Sequence, residues 1–157
     1  MASTPDRRDA CILAWTFERR DDTRVSARDP VAEPPGVVSV LVVDDQPPFR
    51  AVAQTVVAVS HGFEVIGEAE SGEAAVGAVA EMHPSVVLMD INLPGMSGIE
   101  ATRRILDEQP DTVVILLSTY DERSLPADAA TCGAARYVHK EDFGPAVLRE
   151  IWDEVGQ

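Results

Sequence analysis

A doubly wound α/β fold, with five parallel strands covered on both faces by five helices, is predicted for this chain by three observations. Short apolar runs such as Val38 to Val43, Val86 to Met89 and Val113 to Leu117 are continuous rather than alternating, the mark of strands buried on both faces. Segments with helical spacing stand between these runs, so strand and helix alternate from Val38 onward. The 157 residues, 45% of them hydrophobic, fill one core of ordinary size and leave too little for a second.

The first strand, Val38 to Val43, is followed by Phe49, Val52, Ala53 and Val56 at helical spacing, with Pro47 and Pro48 suited to a first turn whose missing N–H groups cost little. That helix is expected to end near His61 and Gly62. A second strand over Phe63 to Ala69 leads to a helix from about Ser71 to Met82 with an apolar stripe through Ala75, Val79 and Met82, and His83-Pro84 breaks it. The third strand, Val86 to Met89, precedes the loop Asp90 to Met96. Ser97 and Glu100 then form a capping box that opens a helix to about Asp107. Thr112 to Leu117 reads as the fourth strand, Glu122 to Cys132 as a weaker fourth helix with Pro126 near its start, and Tyr137-Val138 as a short fifth strand. A last helix over about Phe143 to Val155 places Val147, Leu148, Ile151 and Val155 on one face, with Trp152 half-buried beside them. Right-handed crossovers between five such strands favour the flavodoxin-like order 2-1-3-4-5. The first and third strands are then neighbours, and the ligand crevice falls between their carboxyl ends.

Composition narrows the function. Thirteen basic and 27 acidic residues leave a net charge of −14, which opposes direct binding to a nucleic acid backbone. Residues 1–36 stand apart: they hold six of the basic residues and the breakers Pro30, Pro34, Pro35 and Gly36, and they read as a flexible, disordered N-terminal extension. The domain is then residues 37–157, where seven bases face 20 acids, so the acidity belongs to the domain. Cys11 and Cys132, the second inside the predicted fourth helix, make neither a disulfide framework nor a zinc set, which suits a reducing, cytoplasmic setting. No apolar run approaches the roughly 18 residues that span a bilayer, so no membrane association is expected. Cys11 to Phe17 is too short and too closely flanked by acids for a signal peptide, and His61, His83 and His139 lack metal-ligand spacing and read as surface or turn residues.

The chemistry gathers at the strand ends. Asp44 and Asp45 close the first run, Asp90 closes the third, Ser118 ends the fourth and Lys140 follows the fifth, so the predicted strand order brings all five to one rim. Crowded carboxylates repel and must take up protons or bind a cation. A hard divalent ion such as Mg2+, with oxygen ligands in octahedral geometry and several retained waters, resolves the conflict. With the ion and Lys140 neutralising phosphoryl oxygens, a carboxylate can act as nucleophile and form an aspartyl phosphate, whose dianion the Ser118 hydroxyl would hydrogen-bond.

These residues carry a resemblance. Asp44-Asp45 after the first strand, Met89-Asp-Ile-Asn-Leu-Pro-Gly-Met-Ser-Gly98, Ser118-Thr119, and Gly133-Ala-Ala-Arg-Tyr-Val-His-Lys140 make Val38 to about Val155 resemble the receiver domain of a two-component response regulator. The resemblance implies that Asp90 is the phosphoacceptor for a phosphohistidine on a sensor histidine kinase or phosphotransfer protein. It implies Mg2+ held directly by Asp45 and Asp90, by Asp44 chiefly through water, and by the backbone carbonyl of Asn92. Ser118 would be the switch hydroxyl, Tyr137 the aromatic that turns inward on activation, and Lys140 the cation bonded to the phosphoryl group. The fourth helix, fifth strand and fifth helix would form an output face for a downstream protein target.

Departures from the commonest pattern are informative. Ser118 stands where threonine is more frequent and keeps the hydroxyl; Glu141 rather than proline follows Lys140, so the cis peptide frequent in the family is not expected. Both this and the opening Asp-Asp-Gln-Pro-Pro-Phe-Arg look like receivers that precede a DNA-binding helix-turn-helix, yet no such domain is expected here. The expected protein is a stand-alone, single-domain response regulator that catalyses only its own phosphorylation and dephosphorylation. The alternative is a receiver-like interaction module that works without phosphorylation. A phosphatase of the haloacid dehalogenase type would need a second acid where Asn92 stands, and flavin binding lacks a hydroxyl- and glycine-rich first loop.

Overall fold

Residues 36–156 are described by the computed structural model; the expectations for residues 1–35, including Cys11 to Phe17, lie outside the described residues. Five strands and four α-helices alternate: β1 (Val38–Val43), α1 (Pro47–Ala58), β2 (Phe63–Ala69), α2 (Gly72–Met82), β3 (Val86–Asp90), α3 (Gly98–Glu108), β4 (Val113–Ser118), β5 (Arg136–His139) and α4 (Pro145–Val155). All neighbouring strands pair in parallel in the order β2-β1-β3-β4-β5, as the alternation predicts.

The pleat sorts each strand between two cores. Val38, Val40 and Val42 of β1 join Val86, Leu88, Ile115 and Leu117 on one face, where Ala53 and Val57 of α1 and Leu148 and Ile151 of α4 cover them. Leu41 and Val43 join Val87, Met89, Val114 and Leu116 on the other, under Ala75 and Val79 of α2 and Ala101 and Ile105 of α3. Burial of a Leu, Val or Ile side chain is worth about 1.5–3 kcal/mol, so the three central strands, buried at every position, are the most firmly held part of the sheet. The α1 stripe is displaced from its sequence reading: Val57 is buried with Ala53, whereas Val52 is half exposed. Trp152 is half-buried as expected, edge-on to Phe63 with ring centroids 6.4 Å apart.

The helix starts follow local chemistry. Ser71 and Ser97 cap α2 and α3, their hydroxyls accepting from Ala74 N at 3.1 Å and Glu100 N at 3.2 Å. The Glu100 carboxylate pairs with Arg104 Nε at 2.9 Å. One predicted helix is absent. Glu122 to Cys132 forms two short 3-10 turns, Glu122–Ser124 and Ala127–Ala130, so Cys132 is buried but not helical. Pro126 separates the turns and supplies no N–H, Gly133 adopts φ 100, and the alanines between bury too little to offset helix nucleation. No peptide bond is cis among the described residues, and none of their helices is long and apolar enough to cross a membrane.

Candidate phosphoacceptor site

Four strands end in a side chain that accepts the backbone N–H two residues on. Asp44 Oδ1 takes it from Gln46 at 2.8 Å, Asp90 Oδ1 from Asn92 at 3.2 Å, Ser118 Oγ from Tyr120 at 3.0 Å and His139 Nδ1 from Glu141 at 3.1 Å. Such bonds turn the chain where the ladder stops and fix the side chain that makes them. The rim therefore has one repeated construction at the ends of β1, β3, β4 and β5.

Within it three acids converge. One carboxylate oxygen from each of Asp44, Asp45 and Asp90 lies within 4.8 Å of the others, with Asp44 and Asp90 buried and Asp45 exposed, a group that could hold a metal ion. Lys140 Nζ sits 2.6 Å from Asp44 Oδ2 and 3.6 Å from Asp90 Oδ1, and lies over the Phe49 ring, 4.5 Å from its centroid. One ammonium thus bridges two buried carboxylates, the pairing that a buried charge requires. Burial pushes the Asp90 carboxyl up from 3.8 to about 6, the neighbouring charge of Asp44 adds to the rise, and Lys140 and the Asn92 amide oppose it.

The remaining sequence candidates fall around this cluster. Ser118 is fully buried at the end of β4, one residue beyond Leu117, which pairs with Asp90 in the ladder. Its hydroxyl accepts from Tyr120 and so keeps its own proton for another acceptor. The Tyr137 hydroxyl donates to the carbonyls of Ser118, at 3.4 Å, and of Tyr120. Asn92 is exposed, its amide turned to Asp90.

Four further residues shape the rim, although the sequence assigned none of them a role at the site. Arg50 donates from Nη1 to the Asp44 carbonyl at 2.8 Å and from Nε to Glu68 at 2.8 Å, fastening the acidic loop to β2. Phe49 faces Lys140, although helical spacing assigns it only to an apolar stripe. Gly98 begins α3 so close to β3 that a Cβ there would stand 2.1 Å from the Asp90 carbonyl oxygen. His139 bonds to Thr119 as well as Glu141. The proline-paired opening of α1 is the one sequence signal for Phe49 and Arg50, because a helix starting right after the acids turns its first residues back over them.

A five-stranded 2-1-3-4-5 sheet with acids at the ends of β1 and β3 and a lysine after β5 defines a class of signalling domain. The family model described as the response regulator receiver domain matches residues 40–152, and the chain belongs to that family. Membership places it among the receiver domains of two-component response regulators. It is 35% identical over 114 residues to the transcriptional regulatory protein DegU of Brevibacillus brevis, covering 73% of this chain and 48% of that protein. To the response regulator GacA of Pseudomonas aeruginosa it is 38% identical over 104 residues, covering 66% and 49%. The chain thus matches about half the length of these curated relatives. The receiver domain of the response regulator NarL from Mycobacterium tuberculosis is similar in structure, with a TM-score of 0.70 at 30% identity, covering 77% of this chain and 98% of that one.

Proposed function

We propose that Asp90 takes a phosphoryl group from the phosphohistidine of a sensor histidine kinase or phosphotransfer protein in a Mg2+-dependent reaction. The observation that carries this reading is Lys140 reaching both Asp44 and Asp90 beside the exposed carboxylate of Asp45. The donor set fits a hard divalent cation: three carboxylates converge, two of them buried, and the crowding raises the Asp90 carboxyl. Asp45 and Asp90 would hold the ion directly, Asp44 chiefly through water, and Asn92 through its backbone carbonyl. Bound there, it would neutralise the acids, keep Asp90 ionised and draw charge from the phosphoryl oxygens.

The chain's own groups do the rest. An Asp90 carboxylate oxygen attacks phosphorus, a P–O bond forms, the N–P bond of the phosphohistidine breaks, and its electron pair leaves on the imidazole nitrogen. Lys140, already 3.6 Å from Asp90, pairs with the anionic phosphoryl oxygens. The Ser118 hydroxyl donates to another of them, which draws the loop it begins toward Asp90. Tyr137 follows, because its hydroxyl is bonded to that loop. The readout is altered binding of a downstream protein to the face made by the 3-10 turns, β5 and α4. The domain's acid excess argues against direct contact with nucleic acid, and beyond its own phosphorylation and dephosphorylation we assign no catalysis. A cytoplasmic setting follows from this reading, since the phosphoryl donor is a kinase phosphohistidine.

The test is labelling by radioactive acetyl phosphate with Mg2+. The wild-type chain acquires acid-stable, base-labile label and Asp90→Asn acquires none; persistent label in the variant would place the acceptor elsewhere.

A further inference from the structure

We infer that His139 is a positioning residue for the phosphoacceptor site, tying the loop that begins at Ser118 to the turn that begins at Lys140 so that hydroxyl and ammonium approach Asp90 as one unit. The inference rests on the function proposed above.

The geometry dictates one form of the imidazole. The backbone N–H of Glu141 can only donate, so Nδ1, 3.1 Å away, carries no proton. The carbonyl of Thr119 can only accept, so Nε2, 3.0 Å away, carries one. Both contacts demand the same neutral Nε2–H tautomer, and the ring is engaged at both ends. Its Nδ1 bond caps the 3-10 turn Lys140–Asp142, whose first residue is the site lysine. Its Nε2 bond holds the residue next to the site hydroxyl.

The latch has a second arm. Ser118 and His139 are opposite each other in the β4–β5 ladder, and Tyr137, two residues earlier, shares the face of His139. Together the two side chains hold three successive carbonyls: Tyr137 those of Ser118 and Tyr120, His139 that of Thr119. Beyond Tyr120 the chain enters the two short turns, whose residues are mostly exposed, so β5 is the main anchor of this loop. A residue that only capped its own turn would not reach across to β4.

Two substitutions separate the bonds. His139→Asn keeps a side-chain oxygen near the place of Nδ1 and can cap Glu141, but it is too short for Thr119. His139→Gln carries its amide nitrogen near the place of Nε2 and reaches Thr119 without the cap. Labelling of the full chains by acetyl phosphate with Mg2+, compared at equal folded fraction, should be about 3- to 10-fold slower for His139→Asn, the worth of one neutral hydrogen bond, and within about 2-fold of wild type for His139→Gln. Two wild-type rates, or a Gln variant as slow as the Asn variant, would overturn the inference. The ring nitrogens give an independent readout: long-range 15N–1H spectra should show Nε2–H for His139, and an Nδ1–H tautomer would overturn the inference whatever the rates. If the wild-type chain takes no label at all, the phosphoacceptor reading itself fails and takes this inference with it; if it labels normally while the variants break the pattern, only the latch fails.

Discussion

The two loops that follow β3 and β4 open with the same side-chain turn but are then held by opposite means. After β3 the chain makes a short excursion and returns as α3, whose Gly98 backbone presses on the Asp90 carbonyl and whose Ile99, Ala101 and Ile105 are buried against the sheet. After β4 it runs through two 3-10 turns of mostly exposed residues and is held by side-chain hydrogen bonds from β5. The first arrangement fixes the proposed acceptor by steric contact, which has no nearby alternative state. The second can be rearranged by exchanging a few hydrogen bonds, each worth about 1 kcal/mol net. On the function proposed above, chemistry that needs fixed geometry and a response that needs movement would thus sit on neighbouring strands of one sheet.

This contrast is most severely tested at Gly98. A Cβ there would meet the Asp90 carbonyl oxygen at 2.1 Å and the Ile91 Cα at 3.0 Å, backbone atoms that cannot rotate away. Gly98→Ala should cost about 3 kcal/mol, the upper range for overpacking, measured by urea unfolding. A cost below about 1 kcal/mol would mean that α3 can slide, and that steric contact does not set the Asp90 position.

That contact also marks the limit of what the sequence discloses. Strand order, the rim and the converging acids were legible because they follow from continuous apolar runs and from residues placed at strand ends. Gly98 could be read only as part of a motif, since its closeness to β3 depends on how α3 packs. The 122–132 segment misled for a related reason: Pro126, read as part of a weak helix's first turn, lies between two 3-10 turns, and with Gly133 at positive φ it decides the backbone. His139 read only as a surface or turn residue, because its contacts are two backbone groups, one of them just beyond the end of β4.

A smaller effect with a definite pH dependence is expected at Asp90. Its carboxyl titrates near 6 in the folded chain against 3.8 ordinarily, so between those values the folded state binds more protons than the unfolded one. Stability therefore falls as pH rises through this window, and above pH 6 the ionised carboxylate costs up to about 3 kcal/mol in metal-free buffer. Asp90→Asn removes the cost. In the presence of a chelator the variant should be the more stable protein at pH 7.5, by about 1–3 kcal/mol, and the gap should close as pH falls from 6 toward 4. Wild type proving the more stable at pH 7.5 would show that Lys140 outweighs burial and Asp44 together.

The weakest expected effect lies on the movable side. Asp128, in the second 3-10 turn, reaches Arg103 of α3 at 3.4 Å with both side chains well exposed. Exposed pairs of this kind contribute about 0–1 kcal/mol, so Asp128→Asn should shift the global unfolding midpoint by less than about 0.5 kcal/mol. Amide exchange within residues 122–132 should quicken all the same, because this ion pair links the turn to a firmly packed helix and local opening needs no global unfolding. A global loss above about 1 kcal/mol would mean that the segment is packed as tightly as α3. The difference between the two loops would then lie in backbone shape alone and not in how firmly each is held.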